Sequence, residues 1–350
     1  MDAALHKEQG RRRADSTALA RQRDIGVWVT LALLLLAIAL AGVSLFIGAA
    51  PLSAVDIFTG LFSDHGSASI IAREIRLPRA GLALVVGAAL GASGAALQGL
   101  FRNPLAEPGV TGVTSCAGLG AVIALYFGLA AANPALLPAF AIAGALGSAA
   151  ILYLLSRSGA GVMALVLAGV AIASLATAIT ALVLSFAPNP YAMSEIVLWM
   201  MGSLKDRTLN DLYFVLPLVA LGVAVLVTAA RGLDALTLGE DVAYSLGVNV
   251  SSVRIRVVFG VALATGAATA AAGAVSFVGL VVPHLLRRFY GYEPARLILP
   301  SAFGGAVLVT AADIAIRLIS PDGQLLLGVL TAMLGAPFFI WLILRMRSES

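Results

Sequence analysis

Charge is scarce in this chain. Only 11% of its 350 residues are Asp, Glu, Lys or Arg, against about 25% in a soluble domain. With 60% hydrophobic residues and a mean hydropathy of +1.00, this composition excludes a water-soluble fold and reads as an integral membrane protein. The apolar runs are long and do not alternate, so the spans are helices and not barrel strands. Cysteine is limited to Cys116, which excludes an intrachain disulfide and a cysteine metal cluster. His6, His65 and His284 are far apart and lack ligand spacing. The two lysines, Lys7 and Lys205, do not follow glycines, so the Gly-Lys pair of a Walker loop is missing and no such ATPase site is expected. HExxH, GxSxG and paired aspartates are missing as well, which removes intramembrane hydrolysis. No predicted span centre carries the isolated carboxylate on which an ion-coupled carrier depends. The net charge of +4 comes largely from arginines at helix ends and gives no reason to expect nucleic acid as a partner.

What remains is a succession of apolar segments. Residues 1–24 form a charged tail with Arg11, Arg12 and Arg13. The run that follows, Ile25 to Gly48, is too long for a signal-peptide core and reads as a retained first span. Further spans are predicted at 78–101, 110–130, 138–155, 163–186, 211–230, 257–272, 273–290, 297–319 and 325–344, about ten in all. The expected class is therefore an all-α polytopic membrane protein, with one transmembrane domain over 25–347. On this assignment about 16 of the 22 Lys and Arg lie on one side, which the positive-inside bias makes cytoplasmic together with both termini. Gly87, Gly91, Ala95 and Gly99 repeat every fourth residue of the second span, a stripe on which a neighbouring helix can pack closely. The 273–290 span contains Pro283 and is expected to be broken or tilted. Beside it, His284 reads as a hydrogen-bonded structural residue more readily than as a ligand. Asp313 and Arg317 are four residues apart near the outer end of their span and are expected to satisfy each other. Trp199 and Tyr191 fit an interfacial aromatic belt, with substrate contact as the sharper alternative.

Between the sixth and seventh spans lies a polar island, Thr237 to Val248. Thr237 and Glu240 have capping-box spacing. Leu238, Val242 and Leu246 put an apolar side on a short helix, opposite Glu240 and Asp241. Gly247 stands where a left-handed helix stop falls. Arg231, Arg254 and Arg256 place the island on the cytoplasmic side. It is either an interfacial connector or a helix offered to a cytosolic partner.

Several motifs in order then resemble those of one family. They are Arg76-Leu77-Pro78-Arg79, the glycine-striped helix through Gln98 to Arg102-Asn103-Pro104-Leu105-Ala106-Glu107-Pro108-Gly109, Trp199 to Ser203, Leu238 to Gly247, Gly273 to His284, and Ala312 to Arg317. Together they are similar to the transmembrane permease subunits of ABC importers for iron-siderophore complexes, haem and cobalamin. The resemblance implies a ten-helix subunit that pairs with a second copy of itself. It also implies two cytosolic ATP-binding subunits that use ATP and Mg, and a periplasmic or lipid-anchored binding protein that delivers the substrate. The location implied is a bacterial cytoplasmic membrane. Carried over by position, the coupling segment is 234–250, with Leu238, Gly239, Glu240, Ala243, Leu246 and Gly247 received by the ATPase. Arg76, Arg79 and Arg317 become outer-face arginines that meet acidic residues of the binding protein. Gln98, Asn103, Pro104, Pro283 and His284 are family-motif positions, and neither a metal nor a catalytic residue is implied. One departure is visible: Gln324 to Gly328 lacks the acidic residue and proline that the family usually has there. Haem or a ferric siderophore is the favoured cargo, with cobalamin by the same mechanism as the alternative. An ion-coupled secondary transporter of the same size is the rival from another class.

Overall fold

The computed structural model describes residues 2–62, 66–157, 161–291 and 293–348. His65 and the side chain of His6 lie outside what is described, so their spacing rests on the sequence. All regular structure among the described residues is helical. In chain order the helices are α1 (Asp2–Phe46), α2 (Ala54–Phe62), α3 (Ser67–Ile70), α4 (Leu77–Phe101), α5 (Val113–Tyr126), α6 (Leu129–Ala132), α7 (Leu136–Arg157) and α8 (Val162–Ser185). They continue as α9 (Pro190–Met200), α10 (Leu209–Thr237), α11 (Glu240–Ser245), α12 (Val250–Ala272), α13 (Val278–Leu286), α14 (Pro294–Ile319) and α15 (Leu327–Ser348). The segment set apart as a charged tail is continuous with the first span in α1.

Seven of the predicted spans are helices long and apolar enough to cross a membrane. Of the other three, those at 110–130 and 273–290 are shorter helices for identifiable backbone reasons. A 3₁₀ turn at Pro108–Thr111 and Gly112 at φ 75° delay α5 until Val113. Gly273 at φ 69° ends α12, and Phe277 at φ 66° starts α13. The break that Pro283 predicts thus falls several residues before the proline itself. At nine residues, α13 is about 14 Å long, half a bilayer core. The third, α15, has 22 residues from Leu327 to Ser348, with Pro337 inside it.

Two helices made largely of small residues form the centre. Every residue of α4 from Ala89 to Phe101 is buried, as is every residue of α12 from Gly260 to Ala272. The predicted stripe works as close-approach surface. A side chain at Gly87 would overlap the Gly305 backbone of α14, and one at Gly91 would overlap the Ser301 carbonyl. Gly94, which is off the stripe, lies against Gly279 of α13. Without Cβ atoms, backbones meet and dispersion acts between main chains, where lipid offers no hydrophobic drive. Around this centre pack α7, α10 and α14, while α1 and α8 stay on the periphery with only 11% and 17% of their apolar windows buried.

Candidate functional site

The groups that carry charge or unsatisfied backbone gather at two ends and at one break between them. At the first end, Asp313 of α14 is almost completely buried, at 1% exposure. It accepts from Arg79 at 2.8 Å and from Arg317 at 2.9 Å. Arg317 continues to the Ile47 carbonyl at 2.6 Å and to the Ser44 carbonyl and hydroxyl. Arg76, 3% exposed, donates to the Leu45 and Ala50 carbonyls at 2.8 and 2.6 Å. The expected Asp313–Arg317 pair is present, with Arg79 as a third member. The expectation that all three arginines reach out to an acidic partner needs correction. Arg76 is sealed inside the chain, where it closes the carbonyls left open after α1. Arg79 and Arg317 share one carboxylate, and their residual exposure borders a cavity of about 280 Å³ that Lys205 and Asp206 also line.

At the break, the missing N–H of Pro283 leaves the Gly279 carbonyl, four residues earlier, without a helical donor. Gln98 supplies one: its amide donates to Gly279 at 3.2 Å and to Leu280 at 3.3 Å. Arg287 donates to the Gln98 amide oxygen at 2.6 Å, which fixes the amide's orientation. The two motif positions Gln98 and Pro283 are therefore one device. Asn103 accepts from the Leu105 N–H at 2.9 Å, so Asn103 and Pro104 shape the turn after α4. That turn folds back along α4, because Glu107 lines one small cavity with Leu90, Phe277 and Gly279. Its carboxylate accepts the Phe277 N–H at 3.2 Å. Glu107 is thus an inward-turned carboxylate that no predicted span contains: a loop supplies it, and hydropathy windows read such a segment as an exit. His284 corrects a smaller point. It lies edge-on to Phe338 at 6.0 Å, and its Nδ1 has no hydrogen-bond partner among the described residues.

The motif Trp199 to Ser203 is a backbone knot. Ser203 N–H donates to the Ala272 carbonyl at 2.8 Å, and Leu327 N–H donates to the Gly202 carbonyl at 2.9 Å. Gly328 leaves room for the Ala274 and Met201 carbonyls. This knot anchors the start of α15, so the chain holds that start without the acid and proline it lacks near Gln324.

At the other end stands α11. The capping box is not formed. Thr237 ends α10, seven residues beyond the predicted limit of that span, and its hydroxyl donates to the Asp234 carbonyl. Gly239, at φ 108°, holds the cap position. Glu240 pairs with Arg254 at 2.6 Å, and Ala243 is fully buried against its own chain. Both were expected to face a partner; instead Glu240 fastens α11 to α12 and Ala243 is turned into the chain. What faces outward is Leu238 (64% exposed), Val242, Tyr244 and Leu246 (62%), an apolar stripe in a region flanked by polar residues. Gly247, at φ 78°, is the left-handed stop expected there. Asp234 was not singled out from the sequence; it accepts the Ala295 N–H at 2.8 Å and so caps α14.

With this geometry in hand, the relatives are informative. The sequence profile of the FecCD transport family matches residues 33–345. The hemin transport system permease protein HmuU of Yersinia pestis is 41% identical over 288 residues, 79% of this chain and 84% of that protein. The Fe(3+) dicitrate transport system permease protein FecD of Escherichia coli is 38% identical over 314 residues, 89% of this chain and 97% of that one. The vitamin B12 import system permease protein BtuC of Vibrio cholerae is 42% identical over 275 residues, 78% and 82% of the two chains. A solved inward-facing transporter of metal-chelate ABC type is similar with a TM-score of 0.81 and 30% identity, over 91% of this chain and 99% of that one. The chain belongs to the FecCD transport family, as a multi-pass permease subunit of an ABC importer whose ATP is hydrolysed by a separate subunit.

Proposed function

We propose that this permease moves a bulky iron chelate, haem or a ferric siderophore, inward across a bacterial cytoplasmic membrane. It does so as a pair of identical subunits with two ATP-binding subunits that use ATP and Mg. A periplasmic or lipid-anchored binding protein docks at the Asp313 end, where Arg79 and Arg317 border the cavity. The observation that carries the reading is the family match over 33–345, joined to the exposed apolar stripe on α11. A helix fastened from behind by Glu240–Arg254 and by buried Ala243 is stiff enough to be pushed. Its outward leucines fit an apolar cleft on the ATPase. The weakly buried α8 suits contact with a second copy and with lipid. Cobalamin is the second reading, favoured by vitamin B12 permeases at 40 and 42% identity, beside 41% for the hemin permease.

The test is reconstitution in liposomes with the cognate ATP-binding subunit and binding protein. ATP-dependent uptake of haem, a ferric siderophore and cobalamin is measured in parallel, and an ion gradient without ATP serves as the fourth arm. Uptake of an iron chelate that needs ATP and the binding protein is expected. Uptake driven by the gradient alone would establish the secondary-transporter alternative instead.

A further inference from the structure

A second cavity, of about 190 Å³, opens below the end of α4 on the α11 side, and nothing described so far uses it. Gln98, Arg102, Asn103, Thr237 and Arg287 supply its polar wall, and Pro104, Pro283 and Pro294 stiffen it. Among the described residues no acidic one lines it. Arg102 is exposed and has no ion pair among the described residues. Its backbone is fixed at φ 49°, in the left-handed turn closed by Asn103 N–H to the Gln98 carbonyl at 3.2 Å. Arg287 is aimed by its bond to Gln98. Cations beside the last turn of α4 complement that helix end, which accounts for positive charge there. It does not account for a stiff-walled cavity with a guanidinium on either side.

Such a site takes an anion, and a carboxylate suits the forked geometry of guanidinium donors. Location selects its source. The described lining residues come from α4 and the turn after it, α10, α13 and the turn after it, and α14, the helices of the core; among them the peripheral α1 and α8 contribute none. A lipid headgroup reaches the edges of a bundle, not the end of its central helix. Thr237, which also lines the cavity, is followed directly by the exposed α11 stripe. Cavity and stripe are thus neighbours in the chain at the same end of the molecule.

We propose that the Arg102–Arg287 cavity is a second docking point for the ATP-binding subunit, receiving an acidic side chain beside the apolar contact of α11. The inference rests on the permease reading above. It gives the motor two contacts of different chemistry, one on α11 and one at the foot of α4. The second leads straight into the most buried helix.

The experiment uses the full-length permease with its cognate ATP-binding subunit and measures association across a salt series. Arg102→Glu is expected to weaken association at least tenfold at low salt and to flatten its salt dependence. Arg102→Gln should weaken it several-fold, and Arg102→Lys should retain most of it. Reversing one acidic residue of the ATPase should restore binding to Arg102→Glu. Leu246→Glu serves as the control for α11. Should Arg102→Glu fail to fold, Arg102→Gln carries the test, and its unchanged association overturns the proposal. Lost binding in Leu246→Glu with full binding in the Arg102 variants removes the cavity and leaves the permease reading standing. Full binding in both variants removes docking at this end altogether. If association is unchanged but inorganic phosphate, or vesicles containing phosphatidylglycerol, stabilise the permease only when Arg102 is present, the site belongs to a small anion or a lipid, and the proposal falls.

Discussion

The two ends of the molecule use charge in opposite ways. At the Asp313 end, Arg76, Arg79 and Arg317 all turn inward, to one carboxylate and to the carbonyls after α1. At the α11 end, the Glu240–Arg254 pair and buried Ala243 tie the helix down from behind, and an apolar stripe is left uncovered. The first end is a clasp that holds α1, α4 and α14 together. The second is a mounted surface. The difference teaches that a family motif rich in arginine can be mainly architecture, whereas one with little charge can leave an apolar face open.

The sharpest way to break this contrast is to remove the clasp. Asp313→Ala leaves Arg79 and Arg317 without their shared counterion. Removing one partner of a buried pair typically costs about 3–5 kcal/mol. The expected result is a strongly lowered melting temperature in detergent and little folded protein. A stability near wild type would show that the arginines find water, and that the cluster is a surface feature after all.

Next in size is the break in the core. Gln98→Leu strips the Gly279 and Leu280 carbonyls of their donor and Arg287 of its acceptor, at about 1–3 kcal/mol for a buried group left unsatisfied. Arg287 should then lose its fixed direction, so ATP-dependent transport should fall further than stability does. Thermal unfolding beside transport rates separates the two effects. Equal losses would make Gln98 a packing residue only.

Smaller again is Gly247→Val at the α11 stop. Its φ of 78° costs a side-chain-bearing residue about 1–2 kcal/mol, and most of that is felt locally, where no atom lies within 4 Å of the glycine's missing Cβ. Ala243→Trp is a useful companion. Because Ala243 is buried against its own chain, overfilling should lower stability by about 1–3 kcal/mol in the permease alone, before any ATPase is added.

How much of this was legible follows from what each signal depends on. Helix content and the seven long spans follow from apolar runs, which are local. The stripe from Gly87 to Gly99 announced close packing because helical spacing is local too. The Asp313–Arg317 pair was visible at four-residue spacing, but Arg79, 234 positions away, was not. Gln98 and Pro283 were both singled out, yet the bond that links them runs from Gln98 to the Gly279 carbonyl, 181 residues away, and needs the fold to be seen. Glu107 was missed because a re-entering loop and an exit loop have the same hydropathy. The capping box at Thr237 failed because α10 ran on through the threonine, a continuation that local caps cannot overrule. The facing of α11 was half readable: the period put Leu238, Val242 and Leu246 on one side, but only packing could say that this side points outward and Ala243 inward.

The smallest expected effect on the fold is also the most telling for function. Leu246 is 62% exposed, and its side chain contributes little to the folded chain. A surface substitution away from caps and ion pairs normally stays within about 0.5 kcal/mol. Leu246→Ser, alone and with Leu238→Ser, should therefore leave the melting temperature of the isolated permease unchanged. If these leucines fill a cleft on the ATP-binding subunit, each loses the benefit of burying an apolar side chain there, about 1.5–3 kcal/mol when complete. That corresponds to a drop in association of more than tenfold per leucine. The stimulation of ATP hydrolysis by the loaded binding protein should vanish with it. Docking of the binding protein itself should persist, because the contact proposed for it lies at the Asp313 end. Wild-type stimulation in the double variant would leave α11 a connector at the membrane surface, and the contrast between a closed end and an offered one would lose its second half.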